Sequence, residues 1–136
     1  VYGAPQKLED HEIISVRCAI GMREKLKELN AKWDETEFSR YWKNHGINEI
    51  TARTGIHTGS VIAGNIGSDR MLQYSTIGDT VNVASRLEQK NKEFGTDILF
   101  SQKIYTSLTK DLYDLAEYKG EVSLKGRDTK TRTYSI

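Results

Sequence analysis

The run Gln73-Tyr74-Ser75-Thr76-Ile77-Gly78-Asp79-Thr80-Val81-Asn82-Val83-Ala84-Ser85-Arg86-Leu87-Glu88 constrains the fold of this chain more than any other stretch. It opens as a short strand, turns at a glycine and continues as a helix beginning near Asp79, a short polar residue of the type that caps helix N-termini. Advancing about 100° per residue from Asn82 puts Arg86 near 40°, and Val83, Leu87 and Ala84 at roughly 100°, 140° and 200°. The apolar side therefore points into a core. Asn82 and Arg86, four residues apart, stack on one face and project together from beside it. An amide and a guanidinium so placed suit an anionic, oxygen-rich ligand.

The rest of the chain alternates strand and helix signals. Asp10 precedes an amphipathic helix to about Asn30, followed by a polar connection bearing Trp33, Phe38, Tyr41 and Trp42 and closed by His45-Gly46. Residues 49–58 read as a strand, Gly59 as a turn and residues 61–65 as its hairpin partner. Gly67-Ser68-Asp69 is a second turn, leading to a strand over 72–76. The helix after Gly78 runs to about Phe94 and stops at Gly95. A strand at 97–100, a short helix at 102–108 and strands near 115–118, 120–124 and 131–136 complete the pattern. This predicts an α+β fold with helices packed on one side of a sheet.

Composition excludes several functions. The 136 residues suit one domain, and a net charge of +1 gives no field that calls for nucleic acid or a membrane surface. No stretch approaches the ~20 apolar residues of a membrane span, and nothing resembles a signal peptide. The lone Cys18 excludes an internal disulfide and fits a reducing, cytoplasmic setting. It falls on the stripe Ile14, Cys18, Met22, Leu26 and Leu29, which predicts a packed thiol. The chain begins with Val rather than Met, and Val1-Tyr2-Gly3 reads as the end of a strand already under way, so an excised piece of a longer protein is expected.

The run over 73–88 resembles the signature of the class III nucleotidyl cyclases, the adenylyl and guanylyl cyclase catalytic domains. Further matches flank it in order: Val1-Tyr2-Gly3-Ala4-Pro5, Arg53-Thr54-Gly55-Ile56-His57-Thr58-Gly59, Gly64-Asn65-Ile66-Gly67-Ser68, Val122-Ser123-Leu124-Lys125-Gly126-Arg127 and Tyr134-Ser135-Ile136. The likeness spans essentially the whole chain and is weakest between Asn30 and Ile47. It implies a ferredoxin-like or palm-like antiparallel sheet with helices packed on it, incomplete at the N-terminus.

The resemblance also implies roles. The residue matching Asn82 orients the ribose, and the one matching Arg86 neutralises charge on the triphosphate as the 3′-oxygen attacks the α-phosphorus. That chemistry is mainly positioning and charge stabilisation, for which a planar, bidentate guanidinium is suited. Ser75 stands where the family reads the purine. ATP-using members commonly carry Asp or Thr there and guanylyl cyclases Cys, so Ser departs from all three. Its hydroxyl can mimic Thr at adenine N6 or N1, though it is also close to Cys in size. The neighbouring Thr76-Ile77-Gly78-Asp79 resembles the bacterial-type adenylyl cyclases. Lys125 matches a lysine that contacts the terminal phosphates, and Arg127 reads as part of a surface turn.

Other polar residues have plainer readings. Asp79 is better explained as a helix cap than as a metal ligand, and Asp69 belongs to a turn. His11, His45 and His57 are too scattered for a zinc site, and Gly59, Gly64 and Gly67 lack the spacing of a phosphate loop. The family mechanism uses two Mg²⁺ or Mn²⁺ ions held by two aspartates, together with a purine-contacting Lys (Glu in guanylyl cyclases). All of these lie upstream of the positions matching Val1-Tyr2-Gly3, so no metal ligand is expected in this chain. The resemblance implies a parent that converts ATP to 3′,5′-cyclic AMP and pyrophosphate as a head-to-tail homodimer, and an isolated fragment that is inactive. A guanylyl cyclase, or a degenerate cyclase-like regulatory domain, is the alternative.

Overall fold

The computed structural model describes residues 1–68, 71–123 and 130–136. Its elements are α1 (His11–Glu35), α2 (Arg40–Lys43), β1 (Thr54–Ile56), β2 (Ile62–Ser68), β3 (Met71–Ile77), α3 (Asp79–Phe94), β4 (Ile98–Ser101), α4 (Gln102–Tyr105), α5 (Lys110–Tyr113), β5 (Glu117–Ser123) and β6 (Lys130–Ser135). Four strands form one sheet in the order β1-β4-β6-β5, while β2 and β3 pair as a separate hairpin.

The side-chain alternation of β4 divides the core in two. Ile98 and Phe100 face α1, α4 and α5, packing with Val16, Ala19, Ile104, Leu112 and Tyr134. Leu99 points the other way, into a cluster with Val83 and Leu87 of α3 and Val122 of β5. Helices therefore cover both faces, not one as the sequence suggests. A strand buried on both sides reads as an unbroken apolar run, and Ile98-Leu99-Phe100 is one.

The hairpin expected between residues 49–58 and 61–65 does not form. β1 is only three residues long and pairs in parallel with β4, with Thr54 opposite Ile98 and Ile56 opposite Phe100. β2 pairs instead with β3, antiparallel, over the register Ile62↔Ile77 to Ser68↔Met71. The two strands expected at 115–118 and 120–124 are one bulged strand, β5, whose register against β6 shifts between Tyr118 and Gly120. Gly120 has φ 139°, and a side chain there would press on the ring of Phe94, which covers it.

α1 extends to Glu35, beyond the expected end near Asn30. Its buried residues are Ser15, Val16 and Ala19, so Cys18 is exposed rather than packed, and Met22 is 59 % exposed. The helix packs on the core through Val16 and Ala19 with Ile13 and Ile20 beside them, a face adjacent to the Ile14–Cys18–Met22 stripe. Trp33, Phe38, Tyr41 and Trp42 pack on one another where α1 gives way to α2. Among the described residues no helix is long and apolar enough to cross a membrane.

Candidate functional site

The site is built on α3 and the hairpin that feeds it. Gly78 joins them with φ 141° and ψ 169°, a conformation that a side chain would disfavour. It also occupies the N-cap position, and its carbonyl accepts from the N–H groups of Val81 (3.1 Å) and Asn82 (3.3 Å). Asp79 is thus not the cap expected from the sequence. It is the first helical residue, where a carboxylate complements the positive end of the helix dipole. At the other end Gly95 adopts the left-handed conformation (φ 64°) and closes α3 as its type predicts.

Val83 and Leu87 are buried beneath α3, while Asn82 is exposed and Arg86 half-buried at the margin of that apolar face. The two polar side chains lie one turn apart on the same side. The Nη1 of Arg86 donates to the backbone carbonyl of Ser123 at 3.4 Å, a long hydrogen bond that uses one of the five guanidinium N–H donors. Ser123 closes β5, and nothing in the sequence marked it as the partner of Arg86. Lys125 and Arg127, two and four positions further on, lie outside the described residues, as does Asp69.

Ser75 sits on β3 opposite Gly64, half-buried. The alternation of the pair puts it on the hairpin face that also carries Ile62, Ile66 and Ile77, which are 69 %, 41 % and 52 % exposed. The cavity between α1, β1 and the start of α3 is lined by His11, Glu12, His57 and Thr80, among others, but not by Ser75, Asn82 or Arg86. Of the three, Asn82 is exposed, whereas Ser75 and Arg86 are half-buried.

The histidines are bound into the fold. His11 contacts the Leu8 carbonyl (3.2 Å) and the Thr58 hydroxyl (3.3 Å), and His45 the Tyr41 carbonyl (3.1 Å). His57 Nδ1 lies 2.7 Å from the hydroxyl of the buried Ser101. Burial, with the Lys103 ammonium nearby, holds its pKa below the usual imidazole range. Among the described residues no group of three or more His, Cys, Asp or Glu side chains is arranged to hold a metal ion.

The largest of the buried polar side chains, Asn91, is not among the residues the sequence singled out. Asn91 is fully buried, donating to the Thr54 carbonyl at 3.0 Å and accepting from the Thr96 hydroxyl at 2.7 Å. The signal was present: Val83, Leu87 and Asn91 continue one stripe at four-residue intervals, and a polar residue on such a stripe must be paired inside.

The whole chain, residues 1–136, matches the family model for the adenylate and guanylate cyclase catalytic domain. It is 33 % identical over 138 residues to adenylate cyclase 1 of Rhizobium meliloti, covering all of this chain and 19 % of that protein. It is 32 % identical over 137 residues to the guanylate cyclase soluble subunit beta-2 of Rattus norvegicus, covering all of this chain and 18 % of that protein. The chain thus spans about a fifth of these relatives. Among solved structures it is similar to the adenylyl cyclase CyaB from P. aeruginosa, with a TM-score of 0.69 at 28 % identity over 99 % of this chain and 64 % of that one. The guanylyl cyclase Cya2 shares the fold at a TM-score of 0.74 and 24 % identity, over 99 % of this chain and 62 % of that one. The chain belongs to the adenylate and guanylate cyclase catalytic domain family.

Proposed function

We propose that the protein carrying this chain converts ATP to 3′,5′-cyclic AMP and pyrophosphate in the cytoplasm. The observation that carries the reading is the pairing of Asn82 and Arg86 at the margin of α3, one exposed and the other, among the described residues, held by one long hydrogen bond. In this reading the ribose 3′-hydroxyl loses its proton to solvent as its oxygen bonds to the α-phosphorus, and pyrophosphate leaves with the electrons of the broken P–O bond. Asn82 holds the ribose in attacking geometry, Arg86 stabilises the charge that develops on the phosphate oxygens, and Lys125 meets the terminal phosphates. Mg²⁺ or Mn²⁺, expected on carboxylates outside this chain, supplies further charge neutralisation when bound. The isolated chain is accordingly expected to be inactive.

ATP is the proposed substrate because the Ser75 hydroxyl can serve adenine as Thr does. Relatives named for each nucleotide match the chain at nearly equal identity, 33 % and 32 %, so GTP is the competing substrate. Measuring kcat/KM for ATP and GTP side by side in the whole protein tests this. Ser75→Ala should cost about 1 kcal/mol of discrimination, roughly fivefold, through one lost hydrogen bond, and Ser75→Thr should preserve or raise ATP use. An unchanged ratio in both variants means that Ser75 does not read the base. A whole protein that cyclises neither nucleotide favours the degenerate regulatory reading.

The reading includes a head-to-tail homodimer with a composite site. Its support is the exposed Asn82 at the start of α3, next to a hairpin exposing Ile62, Leu72 and Ile77. Arg86→Ala mixed in equal amounts with a variant lacking a metal-holding carboxylate, with free subunit exchange, should recover roughly a quarter of wild-type activity, since half the dimers then hold one intact site of two. If exchange is demonstrated and activity stays at the single-variant level, each chain builds its own site.

A further inference from the structure

α3 is fastened along its whole length to one short segment, residues 53–60. At its C-terminal end, Asn91 donates to the Thr54 carbonyl at 3.0 Å, and the Leu87 and Glu88 carbonyls share the same amide at 3.3 and 3.2 Å. At its centre, α3 rests on Gly55. A Cβ added there would fall on the Ala84 carbonyl oxygen and the Glu88 amide nitrogen, both backbone atoms and both far inside contact distance. At its N-terminal end, Thr80 donates to the Ser60 carbonyl at 2.8 Å, and a Cβ at Gly59 would lie 2.7 Å from that hydroxyl. Arg53 adds an exposed bond to Glu88 at 3.1 Å.

We propose that this segment is the rail that positions Asn82 and Arg86, with Gly55 as its critical positioning residue. The demand at Gly55 is for space, because it lies in a regular strand. Ala84 and Glu88 bracket Arg86 on consecutive turns, so whatever lifts them lifts the guanidinium. A helix moves as a body, and any side chain at Gly55 forces α3 off the strand by roughly an ångström, a displacement that costs a positioned group up to about a hundredfold in rate. Gly55 touches no substrate, and its effect passes through Arg86.

This inference rests on the catalytic reading of Arg86, and a double-mutant cycle in the whole protein separates the two. Gly55→Ala, Arg86→Ala and the double variant are assayed with ATP, and with GTP in parallel, in the presence of Mn²⁺. Gly55→Ala should lower kcat about 10- to 100-fold and change KM by less than about threefold, the pattern of a contact realised mainly in the transition state. The double variant should be within about twofold of Arg86→Ala alone, because a misplaced arginine and a missing one are the same lesion. Full additivity overturns the proposal, since Gly55 would then act independently of Arg86. An Arg86→Ala protein with wild-type rates instead overturns the catalytic reading.

If Gly55→Ala does not fold, Thr80 carries the test. Thr80→Val keeps the shape but loses the bond to Ser60, and should lower kcat about three- to tenfold with KM nearly constant. Thr80→Ser should restore it. A Thr80→Val loss that serine does not rescue, or one matched by the unfolded fraction in a thermal scan, overturns the positioning role.

Discussion

Arg86→Ala should lower kcat by about 10²–10³, the scale for removing one preorganised stabiliser of transition-state charge, while leaving the folded domain almost as stable as before. The two halves of that expectation come from the same geometry. Arg86 is half-buried at the margin of α3, and its one described hydrogen bond, to the Ser123 carbonyl, is long at 3.4 Å. Losing it and some packing of the aliphatic stem should cost about 0.5 kcal/mol, within the range of ordinary surface substitutions. Arg86→Lys should recover only part of the rate, because an ammonium keeps the charge without the planar fork that grips two phosphate oxygens. The check is kcat with ATP and Mn²⁺ beside a thermal unfolding curve of the same preparation. A fall in stability large enough to explain the lost activity, or a kcat within threefold of wild type, removes Arg86 from the catalytic machinery.

The sequence was most legible where local chemistry and tertiary structure agree. In α3 the 3.6-residue period, the glycine before it and the glycine after it all point the same way, and the helix runs from Asp79 to Phe94 as read. Even there the cap was misassigned: a short acidic residue beside a glycine looks like a cap, but the backbone turn at Gly78 takes that position. Strand pairing was less legible, because pairing is decided by partners distant in the chain. The segment around β1 was expected to fold back on residues 61–65, whereas only Thr54–Ile56 is strand and its partner is Ile98–Phe100, more than forty positions away. α1 shows a third limit. Its apolar stripe is genuine, but the helix docks through the neighbouring Val16 and Ala19, with Ile13 and Ile20 beside them, and hydrophobicity alone does not reveal how close two backbones must come. The same blindness hid Gly55, whose importance lies in an atom it lacks.

Leu87→Ala should show the complementary behaviour to Arg86→Ala from the adjacent position on the helix. Leu87 is fully buried and packs with Val83, Leu99 and Val122, the cluster that joins α3 to the second face of the sheet. Removing its three outer carbons forfeits transfer free energy and leaves a cavity, and such changes cost about 2–5 kcal/mol when the surroundings cannot collapse. Here collapse is restricted, since Gly55 already holds α3 against the β1 backbone and Asn91 is tied to Thr54. The expected result is therefore a loss toward the upper part of that range, seen as a lowered urea midpoint with an unchanged slope. Leu87→Met, which nearly conserves volume, should lose less than about 1.5 kcal/mol. Activity should follow the folded fraction, so that at low temperature, where the variant remains folded, kcat per folded molecule exceeds that of Arg86→Ala. A stability loss below about 1 kcal/mol would mean that α3 is not seated on the sheet through Leu87. The position of Arg86 would then need another explanation, because the guanidinium is only as well placed as the helix that carries it.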